Sequence, residues 1–133
     1  MSAVVADTHT VLWYLSADPR LSIPAKAAMD DATANGDPIF VPTICVVEAT
    51  YLVEKNRIPP MALVRLDLAL NQPGSAFRPA PLTAETAFRL SEISRDSVPD
   101  LPDRVIAATA LTLGLPLVTR NEKIRASSIQ TIW

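Results

Sequence analysis

Residues 3–15 read AVVADTHTVLWYL and contain an abrupt change of pattern. The first four of them, Ala3-Val4-Val5-Ala6, form a short, continuously apolar run, which is typical of a buried strand. The run breaks at Asp7 and Thr8, and an apolar cluster that includes Val11 and Leu12 follows. This stretch therefore predicts a strand, a polar turn and then a helix.

The same alternation continues along the chain. Further strands are predicted at residues 39–41, 77–82, 115–119 and 128–133, and helices at 8–17, 23–35, 44–55, 61–70, 84–90, 103–113 and 121–125. Ser22 and Thr43 are expected to cap the helices that follow them, and Gly36 and Gly114 to end helices. Short apolar strands separated by helices indicate an α/β fold with a parallel sheet covered on both faces.

The bulk composition is that of a globular protein. Hydrophobic residues make up 49% of the chain and charged residues 20%. The length of 133 residues predicts a single domain over residues 1–133. A single cysteine, Cys45, cannot form an intramolecular disulfide, and no leader-like or membrane-spanning segment is evident, so we expect a cytoplasmic protein. The net charge of -2 gives no general attraction to nucleic acid, so RNA binding would need a local basic patch or a metal ion.

Four acidic residues occupy positions of special interest. Asp7 ends the first strand, Glu48 lies inside an apolar helix, and Asp100 and Asp103 flank Pro102. In parallel sheets, ligands bind at the carboxyl ends of strands, near the point where the strand order reverses. Each acid alone could be a helix cap or an ordinary helix residue, but the set of four favours a functional cluster.

Glu48 is the most informative of the four. Its neighbours are apolar, so its carboxylate is expected to face protein, and a buried charge needs a partner. The nearby cations, Lys55 and Arg57, lie at the end of the helix, so a bound ion is an alternative partner for converging carboxylates. Oxygen ligands favour Mg²⁺ or Mn²⁺, whereas one histidine and one cysteine in the whole chain disfavour zinc.

Several motifs resemble those of PIN-domain nucleases of the VapC-like toxin kind. Residues 7–15, DTHTVLWYL, are similar to the opening motif of that family, and residues 18–22, DPRLS, follow as they do there. Glu48 lies in the apolar helix after the second strand. Residues 100–110, DLPDRVIAATA, resemble the third acidic motif, and residues 117–120, LVTR, resemble the approach to the fourth.

The resemblance implies a three-layer α/β/α fold and an endoribonuclease that hydrolyses RNA phosphodiester bonds. It further implies Mg²⁺ or Mn²⁺ as cofactor, a cognate antitoxin protein as partner, and a homodimer. Asp7, Glu48 and Asp103 match the family's ligands residue by residue, and Asp100 is expected to assist them. In the hypothesis that follows, the bound ion activates water for attack on phosphorus and leaves a 5′-phosphate.

The chain departs from the family pattern at Asn121, where an aspartate is expected. An amide oxygen is a weaker, neutral ligand, so we expect lower affinity for divalent ions. Asp100 is the better candidate to supply the missing charge, because Glu122 points about 100° away on a helical turn. We also expect supporting hydrogen bonds to water or phosphate, or simple capping roles, from the hydroxyl groups of Thr8, Thr43 and Thr119.

Three alternatives stay open. A phosphatase of the haloacid-dehalogenase type also starts with an aspartate after a strand, but it needs a second one where this chain has His9. Nucleotide binding through a glycine-rich loop is disfavoured by the presence of only three glycines. The third alternative is a protein-binding module that lost activity through Asn121. Apolar side chains that could form a protein interface, or simply core, are Trp13, Tyr14, Met61, Leu63 and Val64.

Overall fold

A computed structural model describes residues 2–133, in which strands and helices alternate as predicted. The strands are β1 (Val4–Ala6), β2 (Ile39–Pro42), β3 (Phe77–Ala80), β4 (Leu117–Val118) and β5 (Thr131–Ile132). The helices are α1 (Thr8–Leu15), α2 (Ile23–Ala34), α3 (Ile44–Glu54), α4 (Met61–Asn71), α5 (Ala84–Phe88), α6 (Leu101–Leu113) and α7 (Glu122–Arg125). A short 3-10 helix, Arg89–Glu92, extends α5.

The strands of residues 2–133 form one five-stranded sheet in the order β3-β2-β1-β4-β5, and every pairing is parallel. Val5 on the central strand is in register with Phe40 on one side and Leu117 on the other. From β1 the chain adds β2 and then β3 on one side, and it then crosses back to add β4 and β5 on the other side of β1. The order therefore reverses between β1 and β4, and their carboxyl ends form the crevice where such sheets bind ligands.

Helices cover both faces of this sheet, which confirms the predicted three-layer α/β/α fold. On one side α3 packs against α1, α4 and α6, whereas α2 packs on β1, β2 and β5. Val5, Val11, Met29, Ile39 and Ile106 are fully buried between the layers. Strands with apolar residues on both faces require this double cover, because neither face of the sheet could remain in water.

The capping predictions have mixed outcomes. The Ser22 hydroxyl accepts a hydrogen bond from the amide of Ala25 at 3.2 Å, so Ser22 caps α2 as predicted. The prediction for Thr43 is wrong, because this residue has helical backbone angles (φ -63°, ψ -22°) and its side chain makes no capping bond. A residue that caps through its side chain needs an extended backbone, which Thr43 does not have.

The start of α6 also differs from the prediction. The helix begins at Leu101, two residues before Asp103, because the Asp100 side chain caps it and Pro102 fits within its first turn. At its other end, Gly114 adopts the left-handed conformation (φ +66°) that ends the helix as expected.

The apolar residues considered for an interface separate into two groups. Trp13 is only 6% exposed, and Tyr14 is half-buried with its hydroxyl donating to Asp30, so both belong mainly to the folded interior. Met61 and Val64 on α4 are about half exposed, at 51% and 49%, whereas Leu63 is partly buried against the core and belongs with the first group. Within residues 2–133, no helix has the length and apolar character needed to cross a membrane.

Candidate functional site

A cavity of about 460 Å³ opens at the carboxyl ends of β1 and β4, where the strand order reverses. The five predicted site residues all line it: Asp7, Glu48, Asp100, Asp103 and Asn121. They come from four places far apart in the sequence, and the parallel sheet together with the helices that follow its strands brings them to one edge.

Asp7 is fixed in place from two directions. It follows β1 directly and caps α1, with Oδ1 accepting a hydrogen bond from the amide of Thr10 at 3.0 Å. Its other oxygen, Oδ2, accepts a short hydrogen bond from the hydroxyl of Thr119, which follows β4. The carboxylate thus links the ends of β1 and β4, and each of its oxygens accepts a hydrogen bond.

Glu48 reaches the cavity from the second turn of α3. Its side chain is half-buried, and Oε1 accepts a hydrogen bond of 2.6 Å from the Thr8 hydroxyl. Burial raises the pKa of Glu48, and the negative charge of Asp100 adds to this effect, whereas the Thr8 hydrogen bond opposes it. Glu48 is therefore an acid whose ionised form is disfavoured by its surroundings.

Asp103 is more strongly perturbed. It lies in the first turn of α6, where its amide donates to Oδ2 of Asp100 at 3.1 Å. Burial raises the pKa of Asp103 to about 7, and the charges of Asp100, Glu48 and Asp7 contribute in the same direction. The hydrogen bond from Asn121 lowers it in part. The cluster therefore holds more negative charge than the protein itself offsets.

The acids lack a directly paired cation among the described residues, although Arg20 and Arg120 line the same cavity. Among residues 2–133, the salt bridges join other residues, and none includes an acid of the cavity. Lys55 and Arg57, the cations nearest to Glu48 in sequence, make no such pair with it. A divalent cation is therefore the kind of ligand that this set of carboxylate oxygens suits.

The side chains as positioned do not form a ready-made ligand shell. Residues 2–133 contain no group of three His, Cys, Asp or Glu side chains placed to hold one ion directly. Mg²⁺ keeps several of its waters and often binds through one or two carboxylates, so the donor set fits an ion that is held partly through water.

Asn121 has a different relation to the cluster from the one predicted. Its Oδ1 accepts hydrogen bonds from the amides of Lys123 and Ile124, at 3.0 and 3.1 Å, and so caps α7. Its Nδ2 donates to Oδ2 of Asp103 at 2.9 Å. The oxygen expected to be a weak metal ligand thus already has two donors, and a ligand role for Asn121 stays a prediction.

Two of the three predicted supporting threonines lie in the site. Thr8 donates to Glu48 and Thr119 to Asp7, so each positions a carboxylate rather than pointing at open solvent. Thr43 lies outside the cavity lining, and its amide instead donates to the carbonyl oxygen of Ala80 in the turn after β2.

Sequence reasoning missed a set of residues on the rim of the same cavity, namely His9, Trp13, Arg20 and Arg120. The guanidinium carbons of Arg20 and Arg120 lie 4.9 and 4.8 Å from the centre of the Trp13 ring. The available signal was the position of Arg120, which separates Thr119 from Asn121 directly after a strand.

Comparison with known proteins gives both a family and a fold. The PIN domain family matches residues 4–128. Ribonuclease VapC22 of Mycobacterium tuberculosis strain H37Rv is 30% identical over 126 residues, which is 95% of this chain and 92% of that protein.

Solved structures with a similar fold include VapBC2 from Rickettsia felis bound to a DNA fragment from its promoter. That match has a TM-score of 0.71 at 18% identity and covers 97% of this chain and 96% of the other. A toxin-antitoxin complex from Klebsiella pneumoniae gives a TM-score of 0.69 at 24% identity, with 98% and 96% covered. FitAcB from Neisseria gonorrhoeae gives 0.65 at 20% identity, with 96% and 95% covered. At these sequence identities, the structural matches show a similar fold and nothing more.

Proposed function

The chain belongs to the PIN-domain family, and we propose that it is a VapC-type ribonuclease toxin that hydrolyses RNA phosphodiester bonds with a divalent metal ion. The observation that carries this proposal is the meeting of Asp7, Glu48 and Asp103 in one cavity at the reversal point of the sheet, with no salt bridge to them within residues 2–133. Such a cluster is unfavourable by itself, and a bound cation removes the imbalance.

Asp7, Glu48 and Asp103 would hold the ion, directly or through water, with Asp100 as a further source of charge. The ion is Mg²⁺ or Mn²⁺, because the donors are hard oxygens. When bound, such an ion supplies Lewis-acid activation of a water and of the phosphate, and a 5′-phosphate product is expected.

The protein's own residues prepare the site for that ion. The hydroxyl groups of Thr8 and Thr119 donate to Glu48 and Asp7 and hold these side chains in position, and the bond from Thr8 also favours the ionised form of Glu48 that a metal requires. Because Asp103 has a pKa near 7, a proton competes with the ion for this residue below neutral pH. A bound cation also neutralises the acids, and this removes their repulsion of the RNA backbone.

The partners proposed are an antitoxin and a second copy of the chain. The structure from Klebsiella pneumoniae supports the first, since it is a toxin-antitoxin complex with a similar fold. Exposed apolar side chains on α4, Met61, Val64 and Leu68, offer surface for such contacts. The homodimer rests on the family resemblance.

The activity is tested by incubating labelled RNA with the purified chain, with and without Mg²⁺ or Mn²⁺. Asp7→Asn and Asp103→Asn remove site charges, and Asp31→Asn, at an exposed position on α2, is the matched control. We expect metal-dependent cleavage by the wild type and the control, and a loss of about 100-fold or more in both site variants, comparable to removing one electrostatic catalytic group. Equal cleavage by all four proteins would rule out this mechanism.

A second candidate is a PIN-fold binding module without activity, and the observation in its favour is the engagement of Asn121. Its oxygen caps α7 and its nitrogen faces Asp103, so the aspartate that the family pattern has at this position is absent from the cluster. Wild-type protein that binds an antitoxin but leaves RNA intact at millimolar Mn²⁺ would favour this candidate. Mapping of cleavage sites across total RNA after expression would favour the nuclease and name its substrate.

A further inference from the structure

The indole ring of Trp13 contacts the guanidinium groups of two arginines at the rim of the acidic cavity. Trp13 is 6% exposed and packs against Trp133, with the ring centres 6.1 Å apart, so its neighbours enclose most of the ring. The guanidinium groups of Arg20 and Arg120 lie within 5 Å of its centre, in the range of a cation–π contact. The exposed part of this otherwise buried side chain therefore organises positive charge.

The two arginines differ in their other contacts. Arg20 makes a two-pronged pair with Asp18, through Nε at 3.0 Å and Nη2 at 2.8 Å, so its charge is largely compensated. Arg120 is exposed, and within residues 2–133 its side chain makes neither a salt bridge nor a hydrogen bond. Arg120 thus has all five N–H donors directed to solvent or available to a ligand.

The backbone fixes where this arginine can act. Arg120 lies between Thr119, whose hydroxyl binds Asp7, and Asn121, whose amide binds Asp103. The side chain consequently lines the same cavity as the acids, while the ring of Trp13 gives the guanidinium a position that does not depend on pairing with them.

We propose that Arg120, held on Trp13, binds a phosphate of the RNA that flanks the one being cleaved. This inference rests on the proposed ribonuclease function and names a residue that binds the substrate. A planar guanidinium matches two oxygens of one phosphate, and an RNA chain with one phosphodiester at the acids carries its next phosphate one nucleotide away. Because the chain has a net charge of -2, such a contact must be local.

An acidic peptide of a protein partner could also pair with a guanidinium. RNA is favoured because Arg120 shares its cavity with the acids proposed to act on the phosphodiester, whereas the exposed apolar surface on α4 is a separate place for protein contacts.

The test measures binding of a fluorescein-labelled single-stranded RNA by anisotropy, in Ca²⁺ and at several NaCl concentrations, with RNA integrity checked on gels. The proteins are wild type, Arg120→Ala, Arg120→Lys and the control Arg125→Ala, which removes an exposed arginine at the end of α7. We expect Arg120→Ala to raise Kd about tenfold, as for loss of one charge-assisted hydrogen-bonded contact. Its slope of log Kd against log salt should fall by about 0.7, the value for one phosphate on a single strand.

The Lys variant should recover part of the affinity, since it restores charge but not the planar fork, and Arg125→Ala should behave as wild type. In cleavage assays Arg120→Ala should raise KM while kcat changes little, which a general loss of fold would not produce. A Kd and salt slope for Arg120→Ala equal to those of Arg125→Ala would overturn the inference, as would a wild type that does not bind RNA.

Two further outcomes separate this inference from the proposals above. RNA binding that depends on Arg120, without cleavage in Mg²⁺ or Mn²⁺, would support Arg120 as a phosphate-binding residue but would contradict the proposed ribonuclease, and with it the position of that phosphate beside a cleaved one. If Arg120→Ala instead lost antitoxin binding with its RNA affinity unchanged, Arg120 would belong to the protein interface and the inference would be wrong.

Discussion

The side-chain amide of Asn121 donates a hydrogen bond to Oδ2 of Asp103, with 2.9 Å between the two atoms. The same side chain caps α7 through its oxygen, so its orientation is set from both ends. A neutral donor therefore stands at the position where the family pattern led us to expect another anion. This donor stabilises the ionised form of Asp103 and acts against the burial and charge repulsion that raise its pKa.

Replacing this donor by an acid should reverse its effect. Asn121→Asp keeps a capping oxygen but puts an anion beside Asp103, so the metal-free protein should lose about 1–3 kcal/mol of stability at pH 8. Divalent ions should bind it more tightly in calorimetry, because one more charge faces them. Asn121→Ser, which can cap but is too short to reach Asp103, is the control. An unchanged metal affinity in Asn121→Asp would place residue 121 outside the ligand shell.

The raised pKa of Asp103 predicts how stability depends on pH. The folded state holds a proton on Asp103 up to about pH 7, whereas the unfolded chain releases it near pH 4, so the folded state binds more protons in between. The free energy of unfolding of the metal-free protein should therefore decrease from pH 5 to pH 8. Glu48 contributes in the same direction, since its pKa is also raised.

Urea denaturation in EDTA at pH 5, 6, 7 and 8 measures this dependence. Asp103→Asn should flatten the curve, Asp31→Asn should leave it unchanged, and saturating Mn²⁺ should restore stability at pH 8. A wild-type stability that rises over this range, with the same slope in Asp103→Asn, would contradict the assignment.

The hydroxyl of Thr8 should matter through Glu48. Thr8→Val has nearly the same shape but removes the 2.6 Å hydrogen bond to Oε1, so the pKa of Glu48 should rise further and metal binding should weaken. Loss of such a supporting contact typically lowers metal affinity about 10- to 100-fold. Thr8→Ser keeps the hydroxyl and is the control. Titration of Mn²⁺ at pH 6 and pH 8 should show the larger defect at pH 6, and equal affinities of the two variants would exclude this role.

Periodicity in the sequence was enough to predict the sheet and the edge at which Asp7, Glu48 and residue 121 meet, whereas the placement of Asp100 and Asp103 beside them came from the resemblance to the family. The apolar run before Asp7 and the run before Thr119 identify parallel strands, and the carboxyl ends of such strands must share an edge. The helix of Glu48 follows a third strand of the same sheet. These relations depend on local pattern and on the topology that it permits, so they needed no knowledge of side-chain directions.

What could not be predicted depends on contacts between distant residues. The apolar pattern around Trp13 predicts a residue of the interior or of an interface. No feature of the neighbouring sequence indicates that the side chains of Arg20 and Arg120 both contact its ring. The amide of Asn121 has two possible orientations until Asp103 and α7 are in place around it. Side-chain direction at the site is thus a result of tertiary packing.

Asp100 combines two roles that one pair of variants separates. Its Oδ2 accepts the amide of Asp103 and caps α6, and its charge raises the pKa of Asp103 and of Glu48. Asparagine caps about as well as aspartate but carries no charge, whereas alanine does neither. In stability at pH 8 without metal, Asp100→Asn should therefore be at least as stable as the wild type, because it keeps the cap and removes the repulsion, and Asp100→Ala should be about 1 kcal/mol less stable than Asp100→Asn.

The dependence of cleavage on metal concentration distinguishes a capping role of Asp100 from a role in binding the ion. If Asp100 contributes charge to the ion, both variants should need about tenfold more Mg²⁺ or Mn²⁺ for half-maximal RNA cleavage, because the loss of an anion weakens binding whether or not the cap survives. Saturating metal should then restore most of the rate in Asp100→Asn. A wild-type metal requirement in Asp100→Asn, beside a destabilised Asp100→Ala, would mean that Asp100 only caps α6 and that Asp7, Glu48 and Asp103 bind the ion without it.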